Sequence, residues 1–157
     1  MGFWDKLLSN EVLISAIVGW TVAQILKTLI DFGLNKSFTP ERLVGSGGMP
    51  SSHSAVTCSV LLTSYLIYGF SSPIFAMAFV LALIVMYDAT GVRWAAGLHA
   101  KAINYIVEYL GDENTKDKDQ LKEMIPKLNE SLGHRMIEVV CGALLGFAIS
   151  LIGYFCF

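Results

Sequence analysis

Charge is scarce in this chain of 157 residues: the four charged residue types make up 15% of it, whereas 54% is hydrophobic and the mean hydropathy is +0.58. Soluble domains carry about 25% charged residues, so the balance points to a membrane. Eleven basic residues are set against thirteen acidic ones and form no continuous basic stripe. Nothing here would neutralise a phosphate backbone, and no nucleic-acid partner is expected. Cysteine is limited to Cys58, Cys141 and Cys156, each inside an apolar run and none in a CxxC pair. That excludes a disulfide framework or zinc site as the expectation and leaves three small packing residues. The first apolar run continues through Trp20 to Ile30 without a small-residue cleavage site, so it reads as a retained helix rather than a removable signal. There is no internal repeat, and the length suits one membrane-embedded domain, residues 1–157.

Four apolar segments are present, from Val12 to Phe32, Ala55 to Phe70, Pro73 to Tyr87 and Ile137 to Phe157. A full span needs about 20 residues, so the second and third must extend into the flanking "PSSHS" and "DATGVR" or form a shallow hairpin. The turn "GFSSP" between them favours a hairpin, with glycine closing one helix and proline opening the next. "VRWAAGLHAKAINYIVEYL" spaces Trp94, Leu98, Ala102, Tyr105 and Tyr109 as an amphipathic or partly buried helix, and the charged "GDENTKDKDQLKEMIPKLNE" reads as a solvated loop with a short helix. The expected architecture is therefore all-α: a polytopic bundle of about four transmembrane helices, with an amphipathic helix in the third loop. Apart from Lys27, inside the first helix, nine of the remaining ten basic residues fall in the loops after helices one and three. The rule that short basic loops stay inside then places those loops on the cytoplasmic face and both termini outside.

The ionisable residues inside or beside the apolar helices are few: Lys27, Asp31, His53, Asp88, Arg93, His134, Arg135 and Glu138. With helices alternating in direction, all fall toward one face of the membrane, where such costly groups mark function. In "GGMPSSHSA", Pro50, Ser51 and Ser52 stand at a helix start whose free N–H groups suit an anion. Gly47 and Gly48 allow close approach there, and His53 adds a proton donor. The plainer reading is a well-capped helix with an interfacial histidine. His134 and Glu138, four apart, share a helix face, so the carboxylate can hold one ring nitrogen and leave the other to attack; a surface pair is the bland alternative. Lys27, Arg42 and Arg93 would supply the positive charge that phosphoryl transfer requires, although snorkelling and topology explain them singly.

Read in order with "AQILK", the stretches "GGMPSSHSA", "MYDATGVRWAAG" and "LGHRMIEVVCGALLG" resemble the divergent, bacterial and plastid-type branch of the type-2 phosphatidic acid phosphatase superfamily, which also includes vanadium haloperoxidases. The superfamily signature is KxxxxxxRP, PSGH and SRxxxxxHxxxD. Its last histidine becomes a phosphohistidine, its PSGH histidine protonates the leaving group, its aspartate orients the nucleophile, and its lysine and arginines hold phosphate. The second part carries over onto Pro50, Ser51, Ser52 and His53, with serine in place of glycine. In the first, Lys36 and Arg42 stand one residue too close and Leu43 replaces proline, so the branch-level match favours Lys27 with Arg42. The third is split. Arg93 and His99 have the RxxxxxH spacing, with Val92 in place of serine and Ile103 in place of the carboxylate; His134 and Glu138 have the HxxxD idea, with Leu128 where arginine belongs. The branch often carries glutamine at the place of His99, which makes His134 the expected nucleophile, Arg93 the arginine from a separate helix, and His99 the rival.

The resemblance implies a lipid phosphatase of the bacterial inner membrane, cleaving a phosphomonoester or diphosphate of a phosphatidate-like or polyprenyl lipid without a cofactor. Membrane lipids are the expected surroundings, and a small four-span bundle admits a homodimer that closes its pocket. Two other classes stand beside this reading. One is a non-enzymatic protein that binds or carries anionic lipid head groups; the other is a hydrolase using Mg²⁺ or Mn²⁺ on Asp88, His134 and Glu138.

Overall fold

Apolar side chains cover the outside of this molecule, and small or polar ones fill its inside. A computed structural model describes residues 3–36, 48–110, 125, 127, 128, 130 and 132–156. The buried hydrophobic residues are alanines, Cys58 and Val139, whereas Trp20, Leu29, Met77, Ile84, Leu144 and Ile152 are exposed. The largest fully buried side chains are Cys58, Ser51, Ser54, Ser59 and Ser64. In water this distribution would be unstable. In lipid it is expected, because hydrocarbon already satisfies the large apolar groups and helices associate through small residues and hydrogen bonds.

A short helix α1 (Phe3–Leu8), not anticipated from the sequence, precedes α2 (Glu11–Asn35). The Asn10 side chain caps α2 by accepting from the Leu13 amide at 3.1 Å. α3 (Ser52–Tyr68) and α4 (Pro73–Thr90) form the expected hairpin, with Ser72 as cap and Pro73 in the first turn. Tyr65, Phe70 and Phe75 close its turn in ring contacts of 4.2–5.9 Å between centroids. Both helices extend into their polar flanks, as their short apolar runs require. α5 (Val92–Leu110) follows the break at Gly91, and α6 (Met136–Cys156) ends the bundle. Most of the charged stretch after Leu110, including the short helix expected there, lies outside the described residues.

Among the described residues three helical stretches, Glu11–Gly33, Pro73–Glu108 and Met136–Cys156, are long and apolar enough to cross a membrane. The fourth expected span, α3, has 17 residues, about 26 Å, and packs against α2, α4 and α6. Its Ser52, Ser54, Thr57, Ser59, Thr63 and Ser64 are all buried. A Cβ at Gly142 or Gly146 of α6 would collide with the carbonyl oxygens of Ser51 or Ala55, and one at Gly19 of α2 would lie 2.9 Å from Ser59 Oγ. These glycines bring the backbones together. Thr63 Oγ1 donates to Ser150 Oγ at 2.9 Å, Ser150 Oγ to the Ser59 carbonyl at 2.8 Å, and Ser59 Oγ reaches the Ser15 carbonyl at 3.1 Å. The pairings make α3 parallel to α6 and antiparallel to α2. The end of α2, the start of α3, the end of α4 and the start of α6 consequently share one end of the bundle.

The apolar stripe of α5 departs from one expectation. Leu98, Ile103 and Tyr105 are exposed, while Gly97 and Ala100 are buried; the helix turns its small face to the protein and leaves the apolar stripe outward, where a membrane would cover it.

Replacing Gly146 with leucine is expected to force α3 and α6 apart and lower the thermal unfolding midpoint in detergent, the overpacking costing about 1–3 kcal/mol. A Cβ at Gly153, on the same helix, meets nothing within 4 Å, so Gly153→Leu should leave the midpoint unchanged. Equal midpoints for the two variants would contradict the packing described.

Candidate active site

His134 lies just before α6 and is 4% exposed. Two contacts hold its backbone. Its amide donates to the Ala89 carbonyl of α4 at 2.9 Å, and the preceding Gly133, at φ 81°, lies so close to α5 that a Cβ would collide with the Trp94 backbone nitrogen. Positive φ and lack of room both require glycine there. The imidazole Nδ1 is 2.9 Å from Glu138 Oε2. The same oxygen accepts from the Arg135 amide at 3.3 Å, so the carboxylate also caps the first turn of α6, where the helix dipole favours a negative charge. With Nδ1 engaged, the ring presents Nε2 on its opposite side.

Glu138 also serves through its backbone. Its carbonyl accepts from the Ser51 amide at 3.0 Å, which ties the start of α6 to the start of α3. Ser51 is fully buried and caps α3 through its hydroxyl, which accepts from the Ser54 amide at 3.4 Å. The next residues, Ser52 and His53, occupy the first turn, where amides have no intrahelical acceptor. The His53 and His134 rings are 6.5 Å apart between centroids, in an edge arrangement. His53, Val85, Ala89, Arg93, Gly133 and His134 line one narrow cleft.

Arg93, in the first turn of α5, forms an ion pair with Asp88 near the end of α4. Both are partly open to solvent, with side chains 50% and 36% exposed, so the pair fixes the arginine's direction more than it stabilises the fold. Lys27 reaches toward the same end from α2. It is 2% exposed, and a Cβ on Gly48, in the loop before α3, would lie 3.5 Å from its Cγ. Arg93, Lys27 and Asp88 are charged side chains close enough to act on His53. Gln24, one turn before Lys27 in "AQILK", is also buried.

The structure therefore brings together Lys27, Ser51, Ser52, His53, Asp88, Arg93, His134 and Glu138 at one end of the bundle. Arg42 lies outside the described residues. His99 is exposed on α5 and is not among the residues lining the cleft. At about 100° per residue it stands on the far side of α5 from Trp94 and Gly97, the positions that face the segment carrying His134. Asp88, His134 and Glu138 do not form a metal-holding group: Asp88 pairs with Arg93, Glu138 pairs with His134, and no cluster of three His, Cys, Asp or Glu ligands exists among the described residues. The sequence reading missed the Asp88–Arg93 pair, because a separation of five is not a helical contact and depends on the break at Gly91. It also missed Val85 and Ala89 as cleft walls.

A model of the divergent PAP2 family matches residues 8–149 of the chain. The "Uncharacterized membrane protein YuiD" of Bacillus subtilis (strain 168) is 37% identical over 151 residues, covering 94% of this chain and 96% of that protein. No solved structure matches. With its apolar exterior, its membrane-length helices and a family match over nearly its whole length, this is a membrane protein that belongs to the divergent PAP2 family.

Proposed function

We propose that the protein hydrolyses the phosphomonoester or diphosphate of a membrane lipid through a phosphohistidine on His134. The observation that carries this reading is the shared cleft of His53, Arg93 and His134, with Nδ1 of His134 held by Glu138. Nε2 attacks phosphorus, the bond to the lipid oxygen breaks, and His53 gives that oxygen a proton. Water then attacks the phosphohistidine, His53 takes the water's proton, and inorganic phosphate leaves. Glu138 keeps the proton on Nδ1 and stabilises the positive ring that forms. Arg93, Lys27 and the open amides at Ser52 and His53 meet the charge on the phosphoryl oxygens. No step uses a metal. The lipid tail stays in the bilayer, and the basic loops at this end of the bundle support a site that opens to the cytoplasmic face.

Purified protein in detergent, offered a panel of phosphatidate-like and polyprenyl phosphates and diphosphates, is expected to release inorganic phosphate from at least one and to be inhibited by vanadate. His134→Ala abolishes release, His53→Ala lowers it by about 10²–10⁴-fold, and His99→Ala leaves it near wild type. Hydrolysis that survives His134→Ala contradicts the mechanism. Binding without release points instead to a head-group carrier, and loss of activity in chelator to a metal-dependent hydrolase. Glu138→Gln is expected to reduce kcat on the order of 10²–10⁴-fold while changing KM little; an unchanged kcat would remove the carboxylate from the mechanism.

A further inference from the structure

His134 precedes the first helical residue of α6, so no helical ladder holds it in place. Its position depends on the chain before it, where Leu128, Glu130, Leu132 and Gly133 lie against α5. The Asn104 side chain engages both backbone groups of Leu128: Oδ1 accepts from the Leu128 amide at 2.9 Å and Nδ2 donates to the Leu128 carbonyl at 2.9 Å. Nδ2 also donates to Glu130 Oε1 at 2.8 Å. Further along, a Cβ at Gly97 would stand 2.6 Å from the Leu132 carbonyl oxygen and 3.1 Å from that of Glu130, and Gly133 lies against the Trp94 backbone. Leu128, Glu130, Leu132 and Gly133 thus follow α5 in the antiparallel direction, meeting positions 104, 97 and 94 in turn, which lie within about 80° of arc on one helix face. The last contact, from the His134 amide to the Ala89 carbonyl, seats the histidine at the α4–α5 junction beside Arg93.

We propose that Asn104 is a positioning residue for His134: it anchors the far end of this strap and so sets where the imidazole stands relative to His53 and Arg93. The inference rests on the reading of His134 as nucleophile. Asn104 touches no reacting atom and is separated from His134 by 30 positions in the chain, but an amide that both donates and accepts is the only neutral side chain of its size able to hold both groups of Leu128. Alanine frees the strap. Aspartate keeps the acceptor for the Leu128 amide, loses the donor for its carbonyl and sets a second carboxylate against Glu130.

The test compares wild type, Asn104→Ala, Asn104→Asp and, as a control on the exposed side of α5, Ile106→Ala. Two readouts are taken: ¹⁵N-histidine NMR spectra of the detergent-solubilised protein, with three histidines to assign, and kcat and KM on a lipid phosphate the wild type hydrolyses. Asn104→Ala is expected to shift or broaden the His134 ring signals while leaving those of His99 in place, and to lower kcat roughly 10- to 100-fold with KM within about twofold of wild type. Asn104→Asp, which loses the donor, gives a change of the same kind, and serves if the alanine variant does not fold; Ile106→Ala changes neither readout. Unchanged His134 signals in both Asn104 variants, or a loss confined to KM, overturns the proposal. A wild type that releases no phosphate removes the reading of His134 as nucleophile, while the NMR comparison still judges the strap by itself.

Discussion

Backbone contact between α3 and α6 is the constraint on which the rest of the structure depends. In a bilayer no hydrophobic drive pushes helices together, so they meet where side chains are small enough for close packing and where hydroxyls cross the gap. Gly142 and Gly146 meet the carbonyls of Ser51 and Ala55, and Ser150 bonds to Thr63 and Ser59. This register is what allows the Ser51 amide to reach the Glu138 carbonyl. Two helix starts are thereby brought side by side, one carrying His53 and the other Glu138 with His134 just ahead of it. The histidine pair follows from parallel packing of α3 and α6. Slide one helix by a turn, about 5.4 Å, and the two rings no longer share a cleft.

The α4–α5 junction supplies the other wall. The chain breaks at Gly91, which turns Arg93 back toward Asp88 and leaves the Ala89 carbonyl to accept from His134. One short stretch, Val85 to Arg93, therefore provides the apolar wall, the arginine, its counter-ion and the acceptor that holds the second histidine's backbone. Glu138 joins the two halves: its side chain holds His134 and its carbonyl holds α3. A residue so used at both ends explains why a carboxylate in the first turn of an apolar helix is tolerated.

Much of this was legible in the sequence because the membrane limits the choices. Apolar run lengths and the "GFSSP" turn marked the helices, and the rarity of charge made the convergence of Lys27, His53, Asp88, Arg93, His134 and Glu138 on one end visible from alternating direction alone. The His134–Glu138 contact followed from spacing. Other features depend on three-dimensional register and were not legible. The sequence marked α3 as a short span, but its run length did not show that its serines and threonines are buried in a helix packed against three neighbours. The Asp88–Arg93 pair crosses a helix break. The strap along α5 joins residues far apart in the chain, and nothing in the local pattern of Asn104, Gly97 or Gly133 announces a partner. His99 has the spacing of the wider family's histidine, yet its direction around α5 depends on which face that helix turns to the strap.

Family membership suggests a phosphatase-like role in general, and the mechanism proposed above assigns the attack on phosphorus to one ring nitrogen. Rapid quenching of the protein with a lipid carrying labelled phosphate, followed by mapping of the labelled residue by mass spectrometry, tests the central claim most directly. The account predicts an acid-labile phosphoryl group on His134, absent in His134→Ala and longer-lived in His53→Ala, where the group that activates water is missing. A phosphoryl group on His99, or turnover without any covalent intermediate, would contradict it.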